Sequence, residues 1–395
     1  MKRFTLILLF LLSGLSAGAQ YFPVNEDDGA ILKGIKWTMN QMIRPSTNRD
    51  TTYLWVAPPE LKIQVSNTLR KNGMTMSWSF KDNYDEILDD GSTRTISVPG
   101  TTRSDMLGGF TKNIGISASY NKFGFSMSRE LNKKRKWHNK KYSFSYKTGP
   151  WAFNYSYFKI KDGMNYRITI GDDPSQPYYS DKKYTSDLDW TIRYHLFDVY
   201  YTLNKRHFAQ DAAFGRKTIQ RKSAGSVMLA ARYMQAKISF DPNEYMAYCL
   251  GDIDTYTTYQ VSVGAGYSYN LVFWHLDPQP TTFRAFNSNA RKGLRNITLS
   301  MTLIPLFTAF NQIHLKPRSS GIVKSVLSKP QLNWLGNLSF GINIDRFSFG
   351  TRITYDRSLF KSYHSTKKPD DFFYNIHWKG NFYNVAFSTY LIWRI

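Results

Sequence analysis

The sequence has a single cysteine, Cys249, in 395 residues. An internal disulfide is therefore impossible, and the chain lies outside the class of small exported scaffolds that disulfides hold together. Acidic residues are scarce as well: 29 Asp and Glu stand against 52 Lys and Arg, a formal charge of +23. Beyond the first twenty residues, no apolar run approaches the ~20 residues that a membrane-spanning helix needs. The mean hydropathy of -0.44 agrees. Helical spanning is excluded by that shortage, so the fold must rest on a packed core or on a closed hydrogen-bonded sheet.

What is present begins with "MKRFTLILLFLLSGLSAGAQ". Lys2 and Arg3 give a basic start, Phe4 to Leu12 an apolar stretch, and Ala17-Gly18-Ala19 a small-residue cleavage site. That pattern predicts a secretory signal peptide over residues 1–19. Export removes nucleic acid as the partner of a basic chain. It leaves membrane lipid phosphate, lipopolysaccharide phosphate, acidic glycans and small anionic solutes. Residues 20–58 show weak periodicity and are expected to form a periplasmic lead-in or a first strand.

From residue 59 to the end, short alternating segments recur. The chain closes on "NFYNVAFSTYLIWRI", which puts Tyr383, Val385, Phe387, Thr389, Leu391, Trp393 and Ile395 on one face of a strand and leaves a mixed face of Asn384, Ala386, Ser388, Tyr390, Ile392 and Arg394. "MTMSWSF" sets Met74, Met76, Trp78 and Phe80 against Thr75, Ser77 and Ser79. "KYSFSYK" and "WAFNYSYFK" repeat the scheme. A soluble sandwich buries mainly Val, Ile and Leu, whereas these faces carry Tyr, Phe, Trp and Met opposite Ser, Thr, Asn, Gly and Arg. The expectation is an all-β fold over residues 59–395, an antiparallel transmembrane β-barrel of about 12 to 16 strands with its greasy face toward lipid.

Charged stretches such as "KDNYDEILDDGSTRTISVPGTTRSD" and "KDGMNYRITIGDDPSQPYYSDKK" read as loops between the strands. One conflict follows from counting. With every short turn on the periplasmic side, strands counted from residue 61 leave the C-terminus on the opposite side. Either an upstream strand such as "TTYLWVA" or a long periplasmic connection would remove it.

Two basic stretches are candidates for binding anionic lipid. "NKKRKWHNKK" holds Lys133, Lys134, Arg135 and Lys136 around Trp137, and "FGRKTIQRKSAG" holds Arg216, Lys217, Arg221 and Lys222. The acidic stretch Asp82, Asp85, Glu86, Asp89 and Asp90 offers oxygen ligands, but its spacing departs from an EF-hand and reads as an ordinary acidic loop. The seven histidines fall in separate segments, and no local motif joins one to a nucleophile. No catalytic residue, metal site or cofactor is assigned.

The stretch "LNKRHFAQDAAFGRKTIQRKSAGSVML", with Phe208, Ala212, Ala213, Phe214, Gln220, Lys222, Ser223, Ala224, Gly225 and Ser226, resembles a family of Gram-negative outer-membrane β-barrel proteins that share a domain of unknown function. "VGAGYSYN", "LRNITLSMTLIP" and the hairpin "NIGISASYNKFGFSMS" carry the same resemblance, from about residue 60 to the end. It implies location and fold and no activity. The stretch between "NLVFWHLDPQP" and "RKGLRN" is longer than the short turn of that family. Together these readings describe an integral outer-membrane barrel that passes or binds anionic solutes or an envelope component. Its expected partners are outer-membrane lipid, lipopolysaccharide and the barrel assembly machinery, with no nucleic acid. The alternatives are a barrel enzyme that modifies lipid or lipopolysaccharide, and a secreted soluble β-sandwich binding module.

Overall fold

Alternating apolar and small polar residues pair into one sheet that closes on itself in a computed structural model of the chain. It describes residues 49–56 and 60–395 except 89, 107–108, 121, 132–138, 177–178, 211, 213–217, 242–252, 278–292, 319–323, 328–329 and 365–375, together with Gly29, Lys33 and Lys36. The expected signal peptide and most of the lead-in lie outside the described residues.

Sixteen strands are described: β1 (Leu54–Val56), β2 (Leu61–Ile87), β3 (Thr93–Met106), β4 (Thr111–Tyr120), β5 (Phe123–Glu130), β6 (Lys140–Thr148), β7 (Trp151–Ile170), β8 (Ser180–Thr202), β9 (Thr218–Gln220), β10 (Ala224–Ser239), β11 (Ile253–Leu276), β12 (Arg295–Pro317), β13 (Lys324–Leu327), β14 (Leu332–Ile344), β15 (Phe347–His364) and β16 (Ile376–Arg394). Twelve of them form an antiparallel ring, β2-β4-β5-β6-β7-β8-β10-β11-β12-β14-β15-β16 and back to β2. β13 adds to β12, and β1 pairs with β9 in a separate ribbon. The protein is a closed transmembrane β-barrel, and closure removes the sheet edges that an open sheet would leave unpaired.

The strand faces divide as the sequence pattern requires. On β5, Phe123, Phe125 and Met127 are exposed while Gly124, Ser126 and Ser128 turn inward. On β16, Phe387, Leu391, Trp393 and Ile395 are exposed, and Ala386, Tyr390, Ile392 and Arg394 are buried. Val65, Leu303, Phe349 and their outward neighbours complete an apolar outer band, the property of a wall that meets lipid. β4, β5 and β6 have 10, 8 and 9 residues, close to the ~9–11 that cross a bilayer.

Three findings correct the reading of the sequence. First, Met74 and Met76 share a face but turn into the barrel, each 1% exposed, so this greasy face touches the core and not lipid. Second, two stretches read as loops are strands. β2 and β3 zip together from Thr75 to Ile87, and β7 and β8 continue from Met164 to Ile170 against Ser186 to Ser180. Polar cross-strand partners hold them where apolar alternation ends: Arg167 Nε donates to Asp181 Oδ1 at 2.7 Å, Thr185 to Asn165 at 2.8 Å, and Thr95 to Asp85 at 2.6 Å. The Arg167 guanidinium holds the Asp181 carboxyl below the usual carboxylate range. Third, the counting conflict disappears. The β4–β5, β6–β7 and β14–β15 turns lie at one end of the barrel, and the long β8–β10 and β11–β12 connections lie at that same end. With twelve wall strands the start of β2 and the end of β16 also sit there, where the Ile395 N–H donates to the Leu61 carbonyl at 2.9 Å. "TTYLWVA" contributes β1, which is not a wall strand.

Candidate anion-binding chamber in the barrel lumen

Two apolar layers and a polar space between them fill the lumen. Toward the far end, away from the short turns, Trp190, Ile192, Tyr256, Phe360, Phe382 and Met164 form a continuous buried cluster with Met74 and Met76. At the short-turn end the β1–β9 ribbon and residues 203–212 enter the barrel as a plug. Phe208 packs against Tyr200, Met228, Ala230, Ile304 and Leu306 on the inner wall, and Leu54 packs against Ala209 and Ala212.

Gln220 on β9 anchors that plug. Its amide donates to the carbonyls of His207 at 2.6 Å and Lys222 at 2.8 Å, and its oxygen accepts from Ala209 N at 3.3 Å and Asn270 Nδ2 at 3.2 Å. Its own carbonyl accepts from Asn296 Nδ2 at 2.9 Å. From Asn296 a ladder of side chains runs through Asn343 to Arg394, the penultimate residue, which also faces Glu60 at 3.6 Å. The resemblance to a barrel family therefore rested largely on the plug: Phe208, Ala212 and Gln220 are buried parts of it.

Between the layers, against β2, β4–β7, β15 and β16, lies a cavity of about 250 Å³. One wall is made of hydroxyls from alternate positions of neighbouring strands, among them Ser126, Ser128, Ser143 and Ser156. Four basic side chains line it: Lys62 from β2, which pairs with Glu60 at 3.3 Å, and Arg70 from β2, Lys141 from β6 and Arg352 from β15. Each occupies the inward parity of its strand, and no carboxylate belongs to the lining. The Arg70 guanidinium lies 5.7 Å and the Lys141 ammonium 4.7 Å from the ring of Phe158, the aromatic ceiling that the far apolar layer contributes. Arg352 lies 5.6 Å from the Tyr390 ring. Arg70 is 9% exposed, and its Nε–H, like the Ser128 hydroxyl, is buried without a hydrogen-bond partner. A buried donor left unmade costs ~1–3 kcal/mol, more on a charged group.

The nearest carboxylates are already engaged. Arg232 on β10 takes Asp198 through two nitrogens, at 2.6 and 3.1 Å, and reaches Asp356 on β15 at 2.5 Å. This triad braces two walls across the lumen and leaves one negative charge over, against Arg70, Lys141 and Arg352 in the chamber, while Glu60 offsets Lys62. An anion held by Arg70, Lys141, Arg352 and the serine wall would be dehydrated, charge-paired and hydrogen-bonded at once.

The candidate lipid-binding residues are not brought together. Lys133, Lys134, Arg135, Lys136, Arg216 and Lys217 lie outside the described residues. Arg221 contacts Asp277 at 2.6 Å and donates to the Thr51 carbonyl, bracing the plug. Lys222 is exposed beside the Tyr53 ring at 5.8 Å. Both sit at the short-turn end. Burial by itself would raise the Asp277 carboxyl, but hydrogen bonds from His275 and Arg221 outweigh it and hold it below its ordinary value.

Among the described residues, no histidine is hydrogen-bonded to a Ser, Thr or Cys, although His314 lies opposite Thr257 and Ser325 in register. His195 faces outward against the Tyr155 hydroxyl at 2.8 Å, and His207 and His275 approach Asp50 and Asp277. No cluster of three or more potential metal ligands occurs among them either. Asp85 and Asp90, from the acidic stretch, bond within the β2–β3 hairpin.

A family described as a domain of unknown function (DUF4421) matches residues 50–276. That span starts where the plug starts and stops at the end of β11, earlier than the expected resemblance to the end of the chain. The stretch read as longer than the family's turn falls beyond the match and largely outside the described residues. No curated protein matches. Among solved structures, the outer membrane protease OmpT from Escherichia coli is similar over 86% of this chain and 98% of its own, at 7% identity and a TM-score of 0.36. The Pseudomonas putida toluene transporter TodX covers 85% and 90% at 7% identity and 0.20, and a Pseudomonas aeruginosa FadL homologue 85% and 90% at 9% and 0.21.

Proposed function

The chain belongs to the family of the domain of unknown function DUF4421, and we propose that this member is an outer-membrane barrel that binds a small oxyanion in its lumen and does not act as an open diffusion pore. One observation carries the reading: Arg70, Lys141, Arg352 and a serine wall share a chamber whose lining, among the described residues, has no carboxylate and leaves the buried Arg70 Nε–H without an acceptor. The apolar layers argue against free passage. A twelve-stranded barrel is narrow enough for side chains to fill, and here they do at two levels.

The plug packs mainly on the β8, β10 and β12 side of the wall, so the anion enters beside it from the short-turn end, along β2, β4 and β16. The lower lining, Lys62, Ser119 and Ile392, reaches that rim, whereas Phe158 and the far cluster seal the other. If the short turns face the periplasm, as in barrels of this kind, the chamber serves a solute or anionic group presented from the periplasm. Charged hydrogen bonds of ~1.5–3 kcal/mol each predict that Arg70→Gln weakens binding about tenfold or more. Titrating refolded protein in detergent with inorganic phosphate tests this. Binding that weakens in Arg70→Gln and in Lys141→Gln supports the reading; no binding, or equal affinity in both variants, refutes it.

A further inference from the structure

The outer wall carries a second cationic feature, legible only through strand register. Arg129 on β5 pairs with Lys140 on β6, Lys140 with Lys159 on β7, Lys159 with Arg193 on β8, and Arg193 with Lys237 on β10. All five have the outward parity of their strands: Arg129, Lys140 and Arg193 are exposed, and Lys159 and Lys237 half-buried. Five like charges thus stand on five adjacent strands, each directly opposite the next. Cross-strand neighbours lie about 5 Å apart, where like charges repel. No ion pair to any of them occurs among the described residues.

The position of this row gives its meaning. One outward step nearer the short turns, β5 to β8 carry Met127, Tyr142, Tyr157 and His195, with Tyr142 and Tyr157 stacked at 6.3 Å and Tyr157 against His195 at 5.0 Å, and β10 carries Gln235. Below those come Phe125, Phe144 and Tyr155 of the apolar band. The order from band to far end is therefore apolar, aromatic, basic, the order of a bilayer's hydrocarbon, interface and headgroup zones. β5 and β6 end within a residue of Arg129 and Lys140, so the row starts at the upper edge of the lipid-facing wall. It does not stay level. The row through Phe123, the first residue of β5, meets β10 at Ala231, seven residues into that strand. With strands tilted ~35–45° and ~4.8 Å apart, four steps raise the stripe by roughly 12 Å.

We propose that Arg129, Lys140, Lys159, Arg193 and Lys237 form an outer-leaflet binding stripe for lipopolysaccharide, taking its phosphates at more than one depth. A phospholipid presents its phosphates in one layer and would meet only the lower end of the stripe. A glycolipid phosphorylated on both its lipid anchor and its inner sugars offers acceptors along the climb, and the aromatic row seats its anchor. Binding relieves the mutual repulsion of the five cations. This stripe is outside the barrel and independent of the luminal chamber.

The test uses full-length protein refolded in detergent and titrated with rough-type lipopolysaccharide, with the same glycolipid after phosphate removal, and with phosphatidylglycerol. Wild type is expected to bind the phosphorylated glycolipid at least tenfold more tightly than either other lipid. Lys159→Glu with Arg193→Glu is expected to abolish that preference, and Lys122→Glu, in the β4–β5 turn at the short-turn end, to leave it unchanged. Should the charge-reversed protein fail to fold, as judged by heat-modifiable gel migration, Lys159→Gln with Arg193→Gln replaces it and is expected to lose most of the preference. Equal binding of the dephosphorylated glycolipid, equal binding of phosphatidylglycerol, or undiminished preference in the stripe variant overturns the proposal.

Discussion

Gln220 shows how much a single side chain carries in this barrel. Both ends of its amide are used inside the lumen, on partners from the plug itself and from β11. Replacing it with Leu keeps the volume approximately but takes a partner from two backbone carbonyls, from the Ala209 N–H and from one N–H of Asn270, whose other N–H keeps the Ala209 carbonyl, at ~1–3 kcal/mol for each group left unsatisfied. The expected result is faster hydrogen exchange at Leu54 and Ile219 with unchanged protection in β4 and β5. Gly380 is constrained differently. The Phe360 ring lies across it, and any Cβ there would run into the ring. Gly380→Val should force Phe360 out of the far apolar layer and destabilise the barrel by ~1–3 kcal/mol, the usual range for overpacking. Urea unfolding in detergent measures it. At this scale the chamber was legible in principle: Arg70 shares parity with Ser66 and Thr68, Lys141 with Ser143 and Ser145, Arg352 with Gly350 and Thr354. A cation on the small-polar face of a lipid-facing strand has to enter the lumen. What the sequence does not show is that three strands, numbered far apart, place these cations against one cavity.

At the scale of elements, the wall strands were readable wherever one face meets lipid, because that boundary enforces a period of two. β16 is the clearest case, with each outward residue in the expected position. The method fails where lipid ends. The extensions of β2, β3, β7 and β8 are held by polar pairs such as Arg167 with Asp181, and their composition is that of a loop. The plug fails for another reason: β1 and β9 have three residues each, too few for any period to register. The plug should also respond to pH. Because Asp277 is held below its ordinary value of 3.8, its ionised form stabilises the folded state. That contribution is complete above the unfolded value and is lost as pH falls through the lower folded value. Limited proteolysis is therefore expected to cut the plug faster below about pH 4 than at pH 7, and Asp277→Asn to cut fast at both.

For the whole molecule, an even number of wall strands puts the start of β2 and the end of β16 at one rim and makes the barrel self-consistent. The two apolar layers then decide what such a barrel can do. A lumen blocked at two levels can hold a ligand but cannot conduct, and the charge of the chamber selects its sign. The most direct measurement is single-channel recording of refolded protein inserted in planar bilayers, with insertion verified by protection of the wall from protease. The expected result is no steady conductance from the wild type, and anion-selective steps only when the far layer is hollowed by Trp190→Ala with Phe360→Ala and both pieces of the plug, the residues up to 58 and residues 204–222, are removed with a short linker joining β8 to β10. Steady conductance from the intact protein would contradict it.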